Sequence, residues 1–149
     1  MRKIILIAIF TVLMVTQVFA YEVSDNLYKA LIAEDTSGDY QTYLAIASCV
    51  RNRLNKGMTH GLVAMKRKDL DAFMKREITY AHAVKNIDLE SQAKRAIREV
   101  FILNKDYANG ATHYEHTGKY KKPKWAKDMR IVKVLHKGTK KEITFWRRK

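Results

Sequence analysis

Apolar residues recur along this chain in three different rhythms. From Ile4 to Val15 they run almost without interruption and without charge. After a cap-type Ser24, Leu27, Leu31 and Ile32 recur at helical spacing and predict a first helix that ends near Thr36-Ser37-Gly38. Asp39 then reads as the cap of a second helix, with Tyr40, Tyr43, Leu44, Ala47, Val50 and Leu54 three or four apart and Gly57 as its stop. This is the strongest period in the chain, and it predicts the central core helix. Between Met58 and Lys85 the pattern weakens. Leu62, Val63 and Met65 predict a short helix, Lys66-Arg67-Lys68 a solvated turn, and Leu70, Phe73 and Met74 a half-buried segment.

Asp88 opens a third clear helix, with Leu89, Ala93, Ala96, Ile97, Val100 and Phe101 on one stripe, closing near Asn104. Asn109-Gly110 breaks the chain, and residues 110–124 are polar and aromatic without period. The third rhythm is β-branched and aromatic. Ile131 to Leu135 and Glu142 to Trp146 flank a polar, Lys- and Gly-containing turn and predict a terminal hairpin. Helices first and a small antiparallel element last define an α+β fold, mainly helical.

The first apolar run has its own meaning. It follows Met1-Arg2-Lys3 and ends Val18-Phe19-Ala20, the charged start, apolar centre and small-residue end of a secretory signal. The competing reading is a membrane anchor. The run from Ile4 to Ala20 is 17 residues and contains Thr11, Thr16 and Gln17, which puts it at the lower limit for a span. Residues 1–20 are therefore expected to be cleaved, and residues 21–149 to form one exported domain with no stable membrane span. A domain of 129 residues buries a sufficient core without staples, and the single cysteine, Cys49, allows no internal disulfide.

Lys and Arg number 29 against 15 Asp and Glu, a formal net charge of +14 that becomes +12 once Arg2 and Lys3 are removed. Such a charge bears on partners and not on fold. Outside the cytoplasm it points to anionic cell-wall polymers or anionic lipid surfaces. Tyr120, Trp125, Phe145 and Trp146 interleave with the basic residues from Lys119 to Lys149, as in a single-strand nucleic-acid groove. Export argues against nucleic acid as the partner.

Three groups could carry chemistry. Glu34 stands at the end of the first helix, beside Leu31, Ile32 and Ala33 and just before a turn. The negative end of the helix dipole and burial against a neighbouring helix both favour a carboxyl that keeps its proton, as a general acid must. The competing reading is an exposed helix-end glutamate. The second group is Gly110-Ala-Thr-His-Tyr-Glu-His116, with two histidines three apart around Glu115. Zinc needs a third protein ligand, and neither His60, His82 nor His136 has a spacing that nominates one. No metal or cofactor is expected on the main reading; the rivals are a metal-dependent amidase or peptidase using His113 and His116, and a wall-binding domain without catalysis. Thr112, His113 and Tyr114, with Trp125 beyond them, equally suit a loop that lines a saccharide site or one anchored to the core. Cys49, the third group, lies mid-helix among apolar neighbours and reads as a packed hydrophobe rather than a nucleophile.

Taken together, the span Leu31-Ile-Ala-Glu34 through Asn52-Arg-Leu54, then Asp71-Ala-Phe73, Gly110-Ala-Thr-His-Tyr114, Pro123-Lys-Trp-Ala126 and Phe145-Trp-Arg147, resembles the SleB-type cell-wall hydrolases, the spore-cortex-lytic enzymes and their relatives. The blocks follow the same order across nearly the whole chain after Ala20. The resemblance implies a lysozyme-like α+β domain that cleaves the bond from N-acetylmuramic acid to N-acetylglucosamine in peptidoglycan glycan strands, working as a monomer, secreted or periplasmic at the cell wall. It places the catalytic acid/base on Glu34, eighteen residues before Asn52, and substrate contacts on Thr112, His113, Tyr114, Trp125, Phe73 and Asn52, the last also with a structural part. The chain departs from the family at Gly38-Asp39, which stands one step later than the usual Gly-Glu, at Thr42-Tyr43 in place of Gly-Gln, and at Ile143 where the last strand carries histidine.

Overall fold

A computed structural model describes residues 26–117, 122–137 and 141–149. The leader over residues 1–20, the Ser24 cap and Tyr120 lie outside the described residues. Helix α1 spans residues 26–34 and buries Leu27, Ala30, Leu31 and Ile32. It stops where Asp35 folds its carboxylate onto Ser37, whose backbone N–H lies 3.2 Å from Oδ1. Gly38 follows at φ +75°, and a Cβ there would stand 2.7 Å from Ile87 and 2.8 Å from Leu89, so only glycine lets the turn sit against the next helices.

Helix α2 (Tyr40–Leu54) is capped as expected, the Asp39 carboxylate accepting the Thr42 backbone N–H at 3.2 Å. Every residue from Thr42 to Arg51 is buried, which makes α2 the central rod of the core. Its end differs slightly from expectation. Asn55 is the cap, and Gly57 makes its left-handed turn two residues later.

Helix α3 (Leu70–Lys85) is far longer than its pattern promised, because only Met74 and Ala81 are fully buried and an apolar period is hardly required. The short helix expected around Leu62, Val63 and Met65 is a single 3-10 turn, Ala64–Lys66, and Val63 is 73% exposed. Helix α4 (Leu89–Ile97) starts on Asp88, whose carboxylate accepts the Ser91 N–H at 2.9 Å. It widens into a π turn, Arg98–Ile102, where the Arg51 guanidinium donates to the Val100 carbonyl at 2.8 Å and to Asn104 at 3.0 Å.

The expected hairpin is present as β2 (Met129–Lys137) and β3 (Lys141–Arg148). The segment read as aperiodic holds a further strand, β1 (His113–Thr117), antiparallel to β3. The order is β1-β3-β2, with β3 in the middle and Ile143, Thr144, Phe145 and Trp146 all buried. Period two sends Tyr114 and His116 to the sheet face shared with Phe145 and Ile143 in the main core. His113 and Glu115 go to the other face, shared with Trp146 and Thr144. The architecture is α+β. No helix among the described residues is long and apolar enough to cross a membrane.

Candidate active site

A cleft of about 400 Å³ opens between the C-terminal end of α1, the segment around Gly61 and strand β1, at the outer edge of the sheet. It brings together Glu34, Thr112, His113, Tyr114 and Trp125, five of the seven residues expected from sequence, together with Arg53, His60, Glu115 and His116.

Glu34 ends α1 with its side chain only 15% exposed. The Ala64 backbone N–H donates to Oε1 at 3.3 Å. The Tyr114 phenol faces the same carboxyl and feels its charge. His116 Nε2 stands 3.8 Å from Oε2, a charge pair when the imidazole is protonated. Burial first, and then the charge of Glu34, push the Tyr114 hydroxyl far above the ordinary tyrosine range. Tyr114 therefore keeps its proton and remains a donor. Its ring packs at 5.9 Å against Phe145, which holds the hydroxyl in place.

Thr112 is buried and locked at three points. Its N–H donates to the Trp146 carbonyl at 3.0 Å, its own carbonyl accepts from Arg53 at 2.9 Å, and its hydroxyl lies 3.0 Å from His113 Nδ1. The His113 ring stacks on Trp125 with centroids 5.4 Å apart, and Trp125 meets Trp146 edge-on at 6.1 Å. Burial, followed by the charges of Arg53 and Arg148, holds the His113 pKa below the ordinary histidine value, which favours the neutral ring. Trp125 stays 47% exposed and so presents an aromatic surface at the cleft mouth.

Arg53 braces the site. It donates to the Thr59 carbonyl at 2.7 Å as well as to Thr112, and lies across Gly61, where a Cβ would come within 2.6 Å of Nε. Gly61 stands at φ +77° and leaves that space open.

Two expected substrate contacts are not on the cleft wall. The Phe73 ring is clamped between the guanidinium groups of Arg67 at 4.2 Å and Arg76 at 5.2 Å, half-buried at the start of α3. Asn52 donates to the Ala111 carbonyl at 3.1 Å and to Asp106 at 3.3 Å, and so fastens the segment that leads into β1. Its part is structural. Cys49 lies beneath the cleft, and burial pushes its thiol up to about 12, so it is no nucleophile at neutral pH. His113 and His116 sit on opposite faces of β1, and among the described residues no group of three or more His, Cys, Asp or Glu side chains could hold a metal ion.

Sequence reasoning did not nominate Arg53, His60 or the Ala64 N–H. The Asn-Arg pair at the end of α2 was a usable signal for Arg53. A backbone donor from a weakly patterned segment leaves none. In comparison with known proteins, the chain matches no family model, no curated protein and no solved structure.

Proposed function

We propose that the protein is a glycan-cleaving enzyme with a single carboxyl as acid and base. More specifically, we read it as a lytic transglycosylase of the SleB type, cutting peptidoglycan strands between N-acetylmuramic acid and N-acetylglucosamine. One observation carries this reading: the Glu34 carboxyl is recessed in a cleft, faced by Tyr114 and held by the Ala64 N–H, with the exposed ring of Trp125 on the same cleft. That combination of a positioned acid and an aromatic surface suits a sugar chain.

In this reading Glu34 first gives its proton to the leaving glycosidic oxygen as the anomeric C–O bond breaks. The ionised carboxylate then takes the proton from the 6-hydroxyl of the muramoyl residue, whose oxygen closes on the anomeric carbon. No water is consumed and the products are anhydro-muropeptides. Tyr114 supports the ionised stage by donating a hydrogen bond to the carboxylate. The resemblance in the Gly110–Tyr114 and Pro123–Ala126 blocks supports the substrate class, and the charge of +12 left once Arg2 and Lys3 are removed suits an anionic wall reached by export.

The presence of Glu115 on the cleft wall favours one second reading, a hydrolytic muramidase in which two carboxylates flank the bond and one activates water. Purified protein incubated with peptidoglycan is expected to release anhydro-muropeptides, and Glu34→Gln to stop that release while the fold persists. Reducing-end products would support hydrolysis instead. Wall binding with no product from either protein would reduce the domain to a binding module.

A further inference from the structure

Glu115 differs from the other enclosed carboxylates of this protein. Glu99 accepts from the Tyr40 and Tyr107 hydroxyls at 2.7 and 2.6 Å. Half-buried Asp39 accepts the Thr42 backbone N–H and hydroxyl at 3.2 and 2.5 Å. Glu34 has Ala64, Tyr114 and His116. Glu115, in contrast, is half-buried, its Oε2 is sealed from solvent, and that oxygen accepts no hydrogen bond. No cation pairs with it among the described residues, in a chain with 29 Lys and Arg. A carboxylate that the protein leaves unmatched on a cleft wall is open to a ligand's donors through its other oxygen, Oε1, which is not sealed.

Its position indicates what could match it. Alternation along β1 puts Glu115 on the same sheet face as His113, whose ring stacks on Trp125, and both Glu115 and Trp125 line the cleft. An acceptor-only carboxylate beside an exposed aromatic surface is suited to a pyranose ring. The aromatic covers the apolar C–H face of the sugar, and the carboxylate takes its hydroxyl or acetamido donors.

We infer that Glu115 is a saccharide-binding residue, accepting hydrogen bonds from the hydroxyl or acetamido N–H groups of a sugar ring seated on Trp125. This rests on the glycan-cleaving reading above and adds a second role to the same cleft. Glu34 handles the proton, and Glu115 holds the neighbouring ring.

Titration calorimetry with a chitin trisaccharide tests it in the full chain carrying Glu34→Gln, so that binding is read without turnover. Adding Glu115→Ala is expected to weaken binding by about tenfold or more, and Glu115→Gln, which keeps one acceptor oxygen, by about threefold. With Glu34 intact, Glu115→Ala should raise KM on peptidoglycan and leave kcat nearly unchanged. Unchanged trisaccharide affinity in a Glu115→Ala protein of native circular dichroism overturns the inference, as does a loss confined to kcat, which would make Glu115 a catalytic base. The two readings fail separately. Glu115-dependent sugar binding in a protein that cleaves no peptidoglycan removes the transglycosylase reading alone, and cleavage indifferent to Glu115 removes this one alone.

Discussion

The two sides of the cleft are built on opposite plans. On the core side of β1, Glu34 is surrounded by groups that the protein itself supplies: the Ala64 N–H, the Tyr114 hydroxyl and the imidazole of His116. On the other side, Glu115 has no hydrogen-bond or charge partner among the described residues, and Trp125 is nearly half exposed. The first arrangement fixes one carboxyl in one geometry, which proton transfer requires. The second leaves donors and a ring face for something else to complete. One edge strand, alternating its side chains, separates a half completed by the protein's own groups from a half left open, which the proposed function reads as a catalytic and a binding half.

The sharpest way to break this contrast is at Glu34. Glu34→Gln keeps the side chain's size and one acceptor oxygen but removes the acid that must deliver the proton, and peptidoglycan turnover should fall by at least about 100-fold. A residual rate near that of the wild type would dissolve the catalytic half. Next is Tyr114→Phe, which leaves the ring on Phe145 and removes only the hydroxyl that faces Glu34. Losing that donor to the ionised carboxylate should lower kcat about tenfold, with KM little changed, in steady-state assays on soluble glycan strands.

On the binding side, Trp125→Ala should weaken affinity for a chitin trisaccharide by about 3- to 10-fold, read by calorimetry. The smallest expected effect is on pH. The folded protein lowers the His113 pKa, through burial first and Arg53 and Arg148 next. Between that lowered value and the ordinary one near 6.5, the unfolded chain binds more protons, so stability rises with pH across the window and falls on acidification through it. Melting temperatures at about pH 5 and pH 7.5 should therefore differ in that direction, and His113→Gln should narrow the gap. A gap of the same size in the variant would remove His113 as its source.

Much of the helical half was legible in the chain because its signals are local. Asp39 and Asp88 cap α2 and α4 as side-chain spacing predicts, and the ten-residue buried stretch of α2 coincides with its strongest apolar period. Strand β1 was not legible. His113-Tyr-Glu-His-Thr117 has little apolar content, and it becomes a strand only by pairing with β3 some thirty residues later. Helix α3 shows in the sequence only as a half-buried segment around Leu70, Phe73 and Met74 for a related reason, since a surface helix with two buried residues carries a faint pattern. In the site, Glu34 and the Thr112–Tyr114 segment were recognisable from block order, and the cleft brings them together. Phe73 and Asn52 were recognisable as important, but sequence could not separate a wall residue from a brace. Arg67 and Arg76 hold the one, and Ala111 with Asp106 the other, through contacts invisible in one dimension.

The central claim concerns where the closing oxygen comes from. Digesting peptidoglycan with the purified protein in heavy-oxygen water, and weighing the new glycan ends by mass spectrometry, tests it most directly. The account predicts anhydro ends with no label from solvent, because the muramoyl 6-hydroxyl attacks within the same sugar. Reducing ends that carry the heavy oxygen would contradict it and assign the cleft to hydrolysis.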